Sequence, residues 1–161
     1  MTFTDPLGNI KANTYDIRGN LLSLSDNLGN LTTLTYSPSG VPIKISLPGG
    51  ITITNVYDTF GNIIRQTDML GNETTFTYDG NNRITTQTTL TGTHTSTIKN
   101  AYNAAGQVIA ITNAEGNTTR FEYDEVGNRI ATVDALNRRT EFIYDKLSQL
   151  IETILPDATA L

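Results

Sequence analysis

The stretch YDTFGNIIRQTDMLGNETTFTY, residues 57–78, decides the fold of this chain because it is one complete cycle of a repeat. Tyrosines recur at spacings of 21, 21, 21, 24, 21 and 21 residues, and every tyrosine of the chain takes part: Tyr15, Tyr36, Tyr57, Tyr78, Tyr102, Tyr123 and Tyr144. Self-similarity at a fixed period of about 20–50 residues is typical of repeat architectures. The sequence therefore predicts one repeat array over residues 1–161, of about seven repeats, which begins and ends in mid-repeat.

Each cycle carries two turn signals of the form D-x-x-G, one directly after the tyrosine and a second ten residues after the first. Aspartate at the first position accepts a hydrogen bond from the backbone two residues on, and glycine at the fourth position adopts the positive φ of a bulged type I turn. The predicted turn residues are Asp16, Gly19, Asp26, Gly29, Asp58, Gly61, Asp68, Gly71, Asp124 and Gly127. We expect Asn82 and Asn137 to replace glycine in the left-handed conformation, whereas Ser148 predicts a looser last turn.

The six or seven residues between turns alternate with period two, which indicates β-strands. A tyrosine and the residue two before it share a face, so Ile64, Phe76 and Tyr78 are expected on a packed apolar face, with threonines on the other. The predicted fold is all-β, with tandem antiparallel β-hairpins in one long, curled and twisted sheet, because sheets beyond about ten strands curl or split. About 13 strands are expected between the turns, and the 24-residue interval predicts a longer hairpin or a bulge between residues 93 and 101.

Composition excludes several classes of function. The net charge of −5 and the absence of a Lys/Arg cluster argue against a nucleic-acid partner. The chain has no cysteine, which excludes a disulfide scaffold and a thiolate metal site. Its apolar runs are far too short for a membrane span, and residues 1–5 do not resemble a signal peptide. We expect neither a cofactor nor membrane insertion.

The sequence offers little for catalysis. His94 is the only histidine, lies among Thr93, Thr95 and Ser96, and has no acid or nucleophile partner in the sequence. The repeated aspartates are chemically suited to calcium, but an active site occurs once whereas these residues recur at every turn. We therefore predict no catalytic residue, no metal site and no cofactor site.

The unit Y-D-x-x-G-N-x(5)-D-x-x-G-N-x-T-x-F-x-Y resembles the YD repeat of the Rhs family, and the resemblance extends from Asp5 to about Gln149. The sequence departs from this pattern at Ser37-Pro38, at Asn103 and at the three-residue insertion. The family includes bacterial polymorphic toxins, C subunits of insecticidal toxin complexes and teneurins. The resemblance implies a secreted or cell-surface protein whose hairpins coil into a hollow shell around a C-terminal toxic domain. Asp5-Pro6-Leu7-Gly8 is similar to the self-cleavage signature of such shells, but it lies in register as an ordinary turn.

Two functions are open at this point. The first is a structural segment of a shell that encloses or displays a toxic domain, with the remaining repeats and that domain as partners. The alternative is a carbohydrate-binding or cell-surface adhesion module in which the tyrosines contact glycan instead of packing on one another. Unpaired edges and an uncovered apolar face also predict self-association of the isolated chain.

Overall fold

The computed structural model describes residues 2–4 and 10–156, and within these ranges the chain is almost entirely β-structure. The strands are β1 (Thr2–Thr4), β2 (Ile10–Tyr15), β3 (Leu21–Ser25), β4 (Leu31–Tyr36), β5 (Pro42–Ser46), β6 (Thr52–Tyr57), β7 (Ile63–Thr67), β8 (Glu73–Tyr78), β9 (Ile84–Thr91), β10 (His94–Tyr102), β11 (Val108–Thr112), β12 (Thr118–Tyr123), β13 (Arg129–Val133), β14 (Arg139–Tyr144) and β15 (Leu150–Ile154). A single 3-10 turn at Pro48–Gly50 is the only helical element in the described ranges. The predicted turn signature at residues 5–8 lies outside the described residues.

The strands follow one another in a 15-stranded sheet whose order is the order of the chain. Neighbouring strands run antiparallel, as in the pairs β2–β3, β6–β7 and β13–β14. The all-β class and the succession of antiparallel hairpins are therefore confirmed. The strand total exceeds the expected number because β1 and β15 lie outside the first and last predicted turns.

Each turn after a tyrosine closes in the same way, and the turn after Tyr57 is typical. The backbone N–H of Gly61 donates to the carbonyl of Asp58 at 3.2 Å, and the N–H of Asp58 donates to the carbonyl of Asn62 at 2.9 Å. Gly61 has a φ of +89°, where a side chain would be strained. The ladder shifts register between Val56 and Tyr57, so the extra residue restores the twist of the hairpin.

Three turns carry a side chain at the left-handed position. Asn82 and Asn137 have φ values of 59° and 62°, in agreement with the expectation for asparagine. Ser148 also adopts a φ of 60°, and its N–H donates to the carbonyl of Asp145 at 3.1 Å. The prediction of a looser last turn is therefore wrong, because the backbone bonds of the turn offset a left-handed penalty of about 1–2 kcal/mol.

The three-residue insertion lengthens one hairpin. Strands β9 and β10 have 8 and 9 residues, more than any other strand, and they are joined at Gly92 and Thr93. Of the two alternatives, the longer hairpin is therefore confirmed. The turn of this hairpin begins only at Gly92, because Leu90 and Thr91 continue β9.

The chain divides into two compact units. Unit 1 comprises Met1–Phe76 with Thr89–Thr95, and unit 2 comprises Thr77–Thr88 with Ser96–Leu161. In unit 1, the register places Leu34, Ile45 and Ile53 side by side on one face. In unit 2, the row Glu122, Ala131 and Glu141 crosses three strands on one face. Each unit thus shows the alternation of side chains that the period-two pattern predicts.

Very little of either unit is fully buried. Among the described residues, only Ala131 is completely shielded from solvent. Ile64, which was expected to supply the packed face with Phe76 and Tyr78, is 37% exposed, and Phe76 and Tyr78 are half-buried. The apolar face that these side chains form is therefore only partly covered, in agreement with the uncovered apolar face expected from the sequence.

Candidate functional site

The candidate site is the series of turns that follow the tyrosines, which we call the tyrosine-edge corners. They begin at Asp16, Ser37, Asp58, Asp79, Asn103, Asp124 and Asp145. The turns at the other ends of the strands, which begin at Asp26, Leu47, Asp68, Asn113 and Asp134 in the described part of the chain, are called the opposite corners. Between them, the two series contain all the turn residues predicted from the sequence.

The aspartate of a corner organises the whole turn. Asp58 Oδ1 accepts from the backbone N–H of Phe60 at 2.8 Å and of Asn62 at 2.9 Å, and its Oδ2 accepts from Asn62 Nδ2 at 3.0 Å. The same three bonds form at Asp16, Asp26, Asp68 and Asp124. Sequence reasoning anticipated the contact two residues on and missed the asparagine that follows the glycine. The recurring Gly-Asn pair was the available signal.

These hydrogen bonds keep the corner carboxylates charged. The side-chain hydrogen bond from Asn62 holds the pKa of Asp58 below its ordinary value, against the opposing effect of desolvation. At Asp79, hydrogen bonds from the Arg83 side chain and backbone lower the pKa in the same direction. A carboxylate whose pKa is lowered is a poor general acid or base near neutral pH. At Asp58 and Asp79 the ionised carboxylate is therefore the form that holds the turn.

The tyrosine hydroxyls bind the first carbonyl of the preceding strand. Tyr57 donates to the carbonyl of Pro42 at 3.1 Å, and Pro42 lies beyond the ladder that β5 forms with β6. Tyr36, Tyr102, Tyr123 and Tyr144 donate in the same way to Leu21, Ile84, Val108 and Arg129, at 2.9, 2.9, 2.8 and 3.1 Å. Tyr15 instead accepts from Asn13 Nδ2 at 3.3 Å, and Tyr78 ends β8. Sequence reasoning treated the tyrosines as packing residues and missed this bond.

Side chains at the end of one corner also reach the next corner along the edge. Gln107 Nε2 donates to the carbonyl of Gly127 at 3.3 Å, and Asn128 Nδ2 donates to Ser148 Oγ at 3.2 Å. Arg83 donates to the carbonyl of Asn103 at 3.2 Å and lies 4.7 Å from the centre of the Tyr102 ring. These links couple successive repeats in unit 2.

Two open grooves lie between successive tyrosine-edge corners. In unit 1, a groove of about 640 Å³ lies between corners 37–40 and 58–61 and is lined by Val41, Ile43, Tyr57 and Phe60 among others. In unit 2, a groove of about 520 Å³ is lined by residues at the equivalent positions of the repeat, including Asn128 and Tyr144. The grooves are therefore a product of the repeat and recur with it.

The described residues contain no group of three or more acidic, histidine or cysteine side chains that would hold a metal ion. The His94 side chain is exposed at the start of β10, and it makes no hydrogen bond or ion pair with the other residues that the structure describes. No helix in the described part of the chain is long and apolar enough to cross a membrane. The tyrosine-edge corners present hydrogen-bonded surface and open grooves.

The chain is similar to known proteins in both sequence pattern and fold. The family model for the RHS repeat matches residues 57–94 and 102–138. No curated protein matches the chain in sequence. The Tc holotoxin pore of Photorhabdus luminescens has a similar fold, with a TM-score of 0.68 and 18% identity over 90% of this chain and 9% of its own.

Two further structures show the same likeness of fold. TcdB2–TccC3 without its hypervariable C-terminal region matches with a TM-score of 0.70 and 18% identity over 94% of this chain and 9% of its own. The complex TcdB2–TccC3–Cdc42 matches with a TM-score of 0.69 and 19% identity over 91% of this chain and 9% of its own. The chain thus spans about a tenth of the length of these structures. The 21-residue unit, the closed corners and the RHS-repeat match over residues 57–94 and 102–138 together make this chain similar to the YD-repeat proteins of the Rhs family.

Proposed function

We propose that the chain is a structural segment of an RHS-type shell, which encloses or displays an associated toxic domain and catalyses no reaction itself. The observation that carries this proposal is the near absence of a core: Ala131 alone is fully buried in the described residues. The hairpins are held instead by backbone ladders, aspartate caps and tyrosine hydroxyls. A sheet built in this way keeps both faces available, as the wall of a container requires.

The use of the polar side chains supports a non-catalytic role. Asp58 accepts three hydrogen bonds from its own turn, and the Tyr57 hydroxyl is bound to the carbonyl of Pro42. These are the groups at which acid–base or nucleophilic chemistry would begin. Because the same arrangement recurs at successive corners, it stabilises the wall and does not define one reaction centre.

The partners in this proposal are the remaining repeats of a longer secreted or cell-surface protein and the toxic domain of that protein. The apolar row Leu34, Ile45 and Ile53 is half-buried and offers a surface for such contacts. Unit 2 instead carries a charged surface, in which Arg139 donates to Glu122 at 2.6 and 2.8 Å and to Glu141 at 2.8 Å. Neither surface presents the cluster of basic residues that nucleic-acid binding requires.

Protease protection in the full-length parent protein tests the proposal. We expect the associated domain to resist a protease in the intact parent and to be cut once the repeats are unfolded with urea. If the associated domain is cut at the same rate in the intact parent and in the parent with unfolded repeats, but remains attached to the repeats, then the segment displays this domain and does not enclose it. A parent protein whose repeats can be removed without changing either the protection or the attachment of that domain would contradict the proposal.

The alternative is carbohydrate binding, and the groove of unit 1 is the observation that favours it. Its volume of about 640 Å³ and its Tyr57 and Phe60 rings suit a sugar. Its polar groups are already engaged, however, since Asn55 Oδ1 accepts from Gln66 Nε2 at 3.2 Å and the Tyr57 hydroxyl is bound to Pro42. Saturable binding on a glycan array that is lost in Phe60→Ala would favour this alternative over a purely structural role.

Self-association of the isolated chain is expected because apolar side chains of the sheet are exposed to solvent. Leu150, Ile151 and Ile154 of β15 are 53%, 63% and 42% exposed, and Leu24 of β3 is 38% exposed. Exposed apolar patches of this kind promote association. We expect dimers or larger oligomers by light scattering, with a shift toward monomer in Ile151→Lys. A strict monomer at high concentration would contradict this expectation.

A further inference from the structure

Three asparagines of the opposite corners begin an N-x-T sequence: Asn30-Leu31-Thr32, Asn72-Glu73-Thr74 and Asn117-Thr118-Thr119. Each of these asparagines directly follows the glycine of its turn. N-x-S/T is the acceptor pattern of N-linked glycosylation, which takes place on surface loops. The repeat therefore places one potential acceptor pattern at the same point of three hairpins.

Two of the three asparagines are bound to a carboxylate. Asn30 Nδ2 donates to Asp26 Oδ2 at 2.7 Å, and Asn72 Nδ2 donates to Asp68 Oδ2 at 2.8 Å. The Thr74 hydroxyl, the third member of its pattern, is also paired with Thr89 Oγ1 at 3.1 Å. The nitrogen that would receive a sugar is thus engaged in a charge-assisted hydrogen bond at both corners.

Asn117 differs because its corner begins with Asn113 instead of aspartate. Asn113 Oδ1 accepts from the backbone N–H of Glu115 at 3.1 Å and of Asn117 at 2.9 Å, so the turn closes normally. The second polar atom of the Asn113 side chain is a donor, and it cannot accept from Asn117 Nδ2. Within the described residues the Asn117 side-chain amide makes no hydrogen bond, and residues 113–117 are all exposed.

We propose that Asn117 is an acceptor site for N-linked glycosylation, left available by the aspartate-to-asparagine replacement at the first position of its corner. The sugar comes from a donor activated through a diphosphate. The Asn117 side-chain nitrogen forms a bond to C1 of the sugar, the bond between C1 and the diphosphate oxygen breaks, the diphosphate leaves with the bonding electrons, and the amide loses one proton. No oxidant or reductant is needed.

The test uses the folded chain, UDP-glucose and a soluble N-glucosyltransferase that recognises N-x-S/T, with peptide mapping by mass spectrometry. We expect glucose on Asn117 at an initial rate about tenfold above that on Asn30 or Asn72, because each of the latter must first break a hydrogen bond to a charged group. Thr119→Ala removes the acceptor pattern and should abolish transfer to Asn117. A synthetic peptide of residues 110–125 serves as the positive control for the enzyme.

Two matched variants separate the corner from the sequence pattern. Asn113→Asp supplies the missing carboxylate and should slow glucose transfer to Asn117 to the rate observed at Asn30. Asp26→Asn removes the carboxylate that binds Asn30 and should raise the rate of transfer to Asn30. Far-UV circular dichroism checks that both variants keep the β-fold. The absence of glucose from Asn117 of the folded chain would overturn the proposal, and so would equal rates at the three asparagines or an unchanged rate in Asn113→Asp.

Discussion

The corner at residues 37–41 in unit 1 and the corner at residues 124–128 in unit 2 hold the same place in the repeat, but only the second is linked to its successor. Asn128 Nδ2 donates to Ser148 Oγ at 3.2 Å, whereas the equivalent Val41 has no polar atom to offer Gly61. The groove beside Val41 is correspondingly the larger, at about 640 Å³ against about 520 Å³.

Both corners nevertheless close with the same backbone bonds. The N–H of Gly40 donates to Ser37 at 2.9 Å, and the N–H of Gly127 donates to Asp124 at 3.2 Å. Closure of a hairpin and linkage between hairpins are therefore separate properties of the repeat. The first depends on residues adjacent in sequence, whereas the second depends on side chains that differ between repeats, such as Val41 and Asn128.

Glycine replacement should have the largest effect and should distinguish the two units. Gly61→Ala and Gly127→Ala both place a side chain at positive φ, at 89° and 100°, with an expected cost of about 1–2 kcal/mol of unfolding free energy. An added Cβ at Gly127 would lie 3.3 Å from Gln107 Nε2, whereas one at Gly61 meets nothing within 4 Å. We expect the Gly127 variant to be the less stable in urea unfolding. Gly61→Asn is the control and should recover part of the loss, and equal losses at the two glycines would contradict the role of the link.

Removal of a tyrosine hydroxyl should have the next largest effect. Tyr57→Phe and Tyr123→Phe leave the carbonyls of Pro42 and Val108 without their donor, and we expect each to lower the unfolding free energy by about 1 kcal/mol. Tyr15→Phe is the matched control, since the Tyr15 hydroxyl binds no carbonyl among the described residues, and it should cost less than about 0.5 kcal/mol. Similar losses at all three positions would indicate that ring packing, and not the hydroxyl, is responsible.

Exchange of the side chains that link successive corners should have a smaller effect on folding stability. The effect should be destabilising in unit 2 and stabilising in unit 1. Gln107→Val removes the donor to Gly127 and the acceptor for Asn103 Nδ2, and it should destabilise unit 2 by about 1 kcal/mol. Val41→Gln introduces the donor in unit 1 and should stabilise it by about 0.5 kcal/mol. Thermal unfolding measures both changes. Val41→Leu fills space without a donor, and a gain as large as that of Val41→Gln would show that packing alone matters.

The smallest effect should be the pH dependence contributed by a single corner. The hydrogen bond from Asn62 lowers the folded-state pKa of Asp58. The contribution of Asp58 to folding stability is therefore complete above the ordinary aspartate pKa and is lost as pH falls through the folded-state pKa. Asp58→Asn should therefore narrow the difference in stability between pH 7 and pH 3. Ser37→Ala should leave that difference unchanged, because its corner begins without a carboxylate. An unchanged difference in Asp58→Asn would show that the cap does not titrate with folding.

Much of the local structure could be predicted from the sequence. Every second strand, from β2 to β14, ends at a tyrosine, and Asn82 and Asn137 adopt left-handed conformations, because both features depend on neighbours within one turn. The hydrogen bond from Tyr123 to Val108 could not be predicted in the same way, since it joins the last residue of β12 to the first residue of β11. The degree of exposure of Ile64 could not be predicted either, because a period of two defines which side chains share a face but not what covers that face.

The amino-acid sequence by itself determined the repeat, the alternation of the strands and the positive φ of Gly61, Gly127, Asn82 and Asn137, because each of these follows from a few adjacent residues. Only the tertiary structure decided which donors meet which carbonyls across neighbouring hairpins and which corners are linked. Those contacts join residues 15–20 positions apart, as in the bonds from Tyr57 to the Pro42 carbonyl and from Asn128 to Ser148 Oγ, and they exist only once the register between strands is set. The free side-chain amide of Asn117 depends on both. The asparagine at position 113 is visible in the sequence, but only the folded turn shows that it leaves the Asn117 amide without a carboxylate partner.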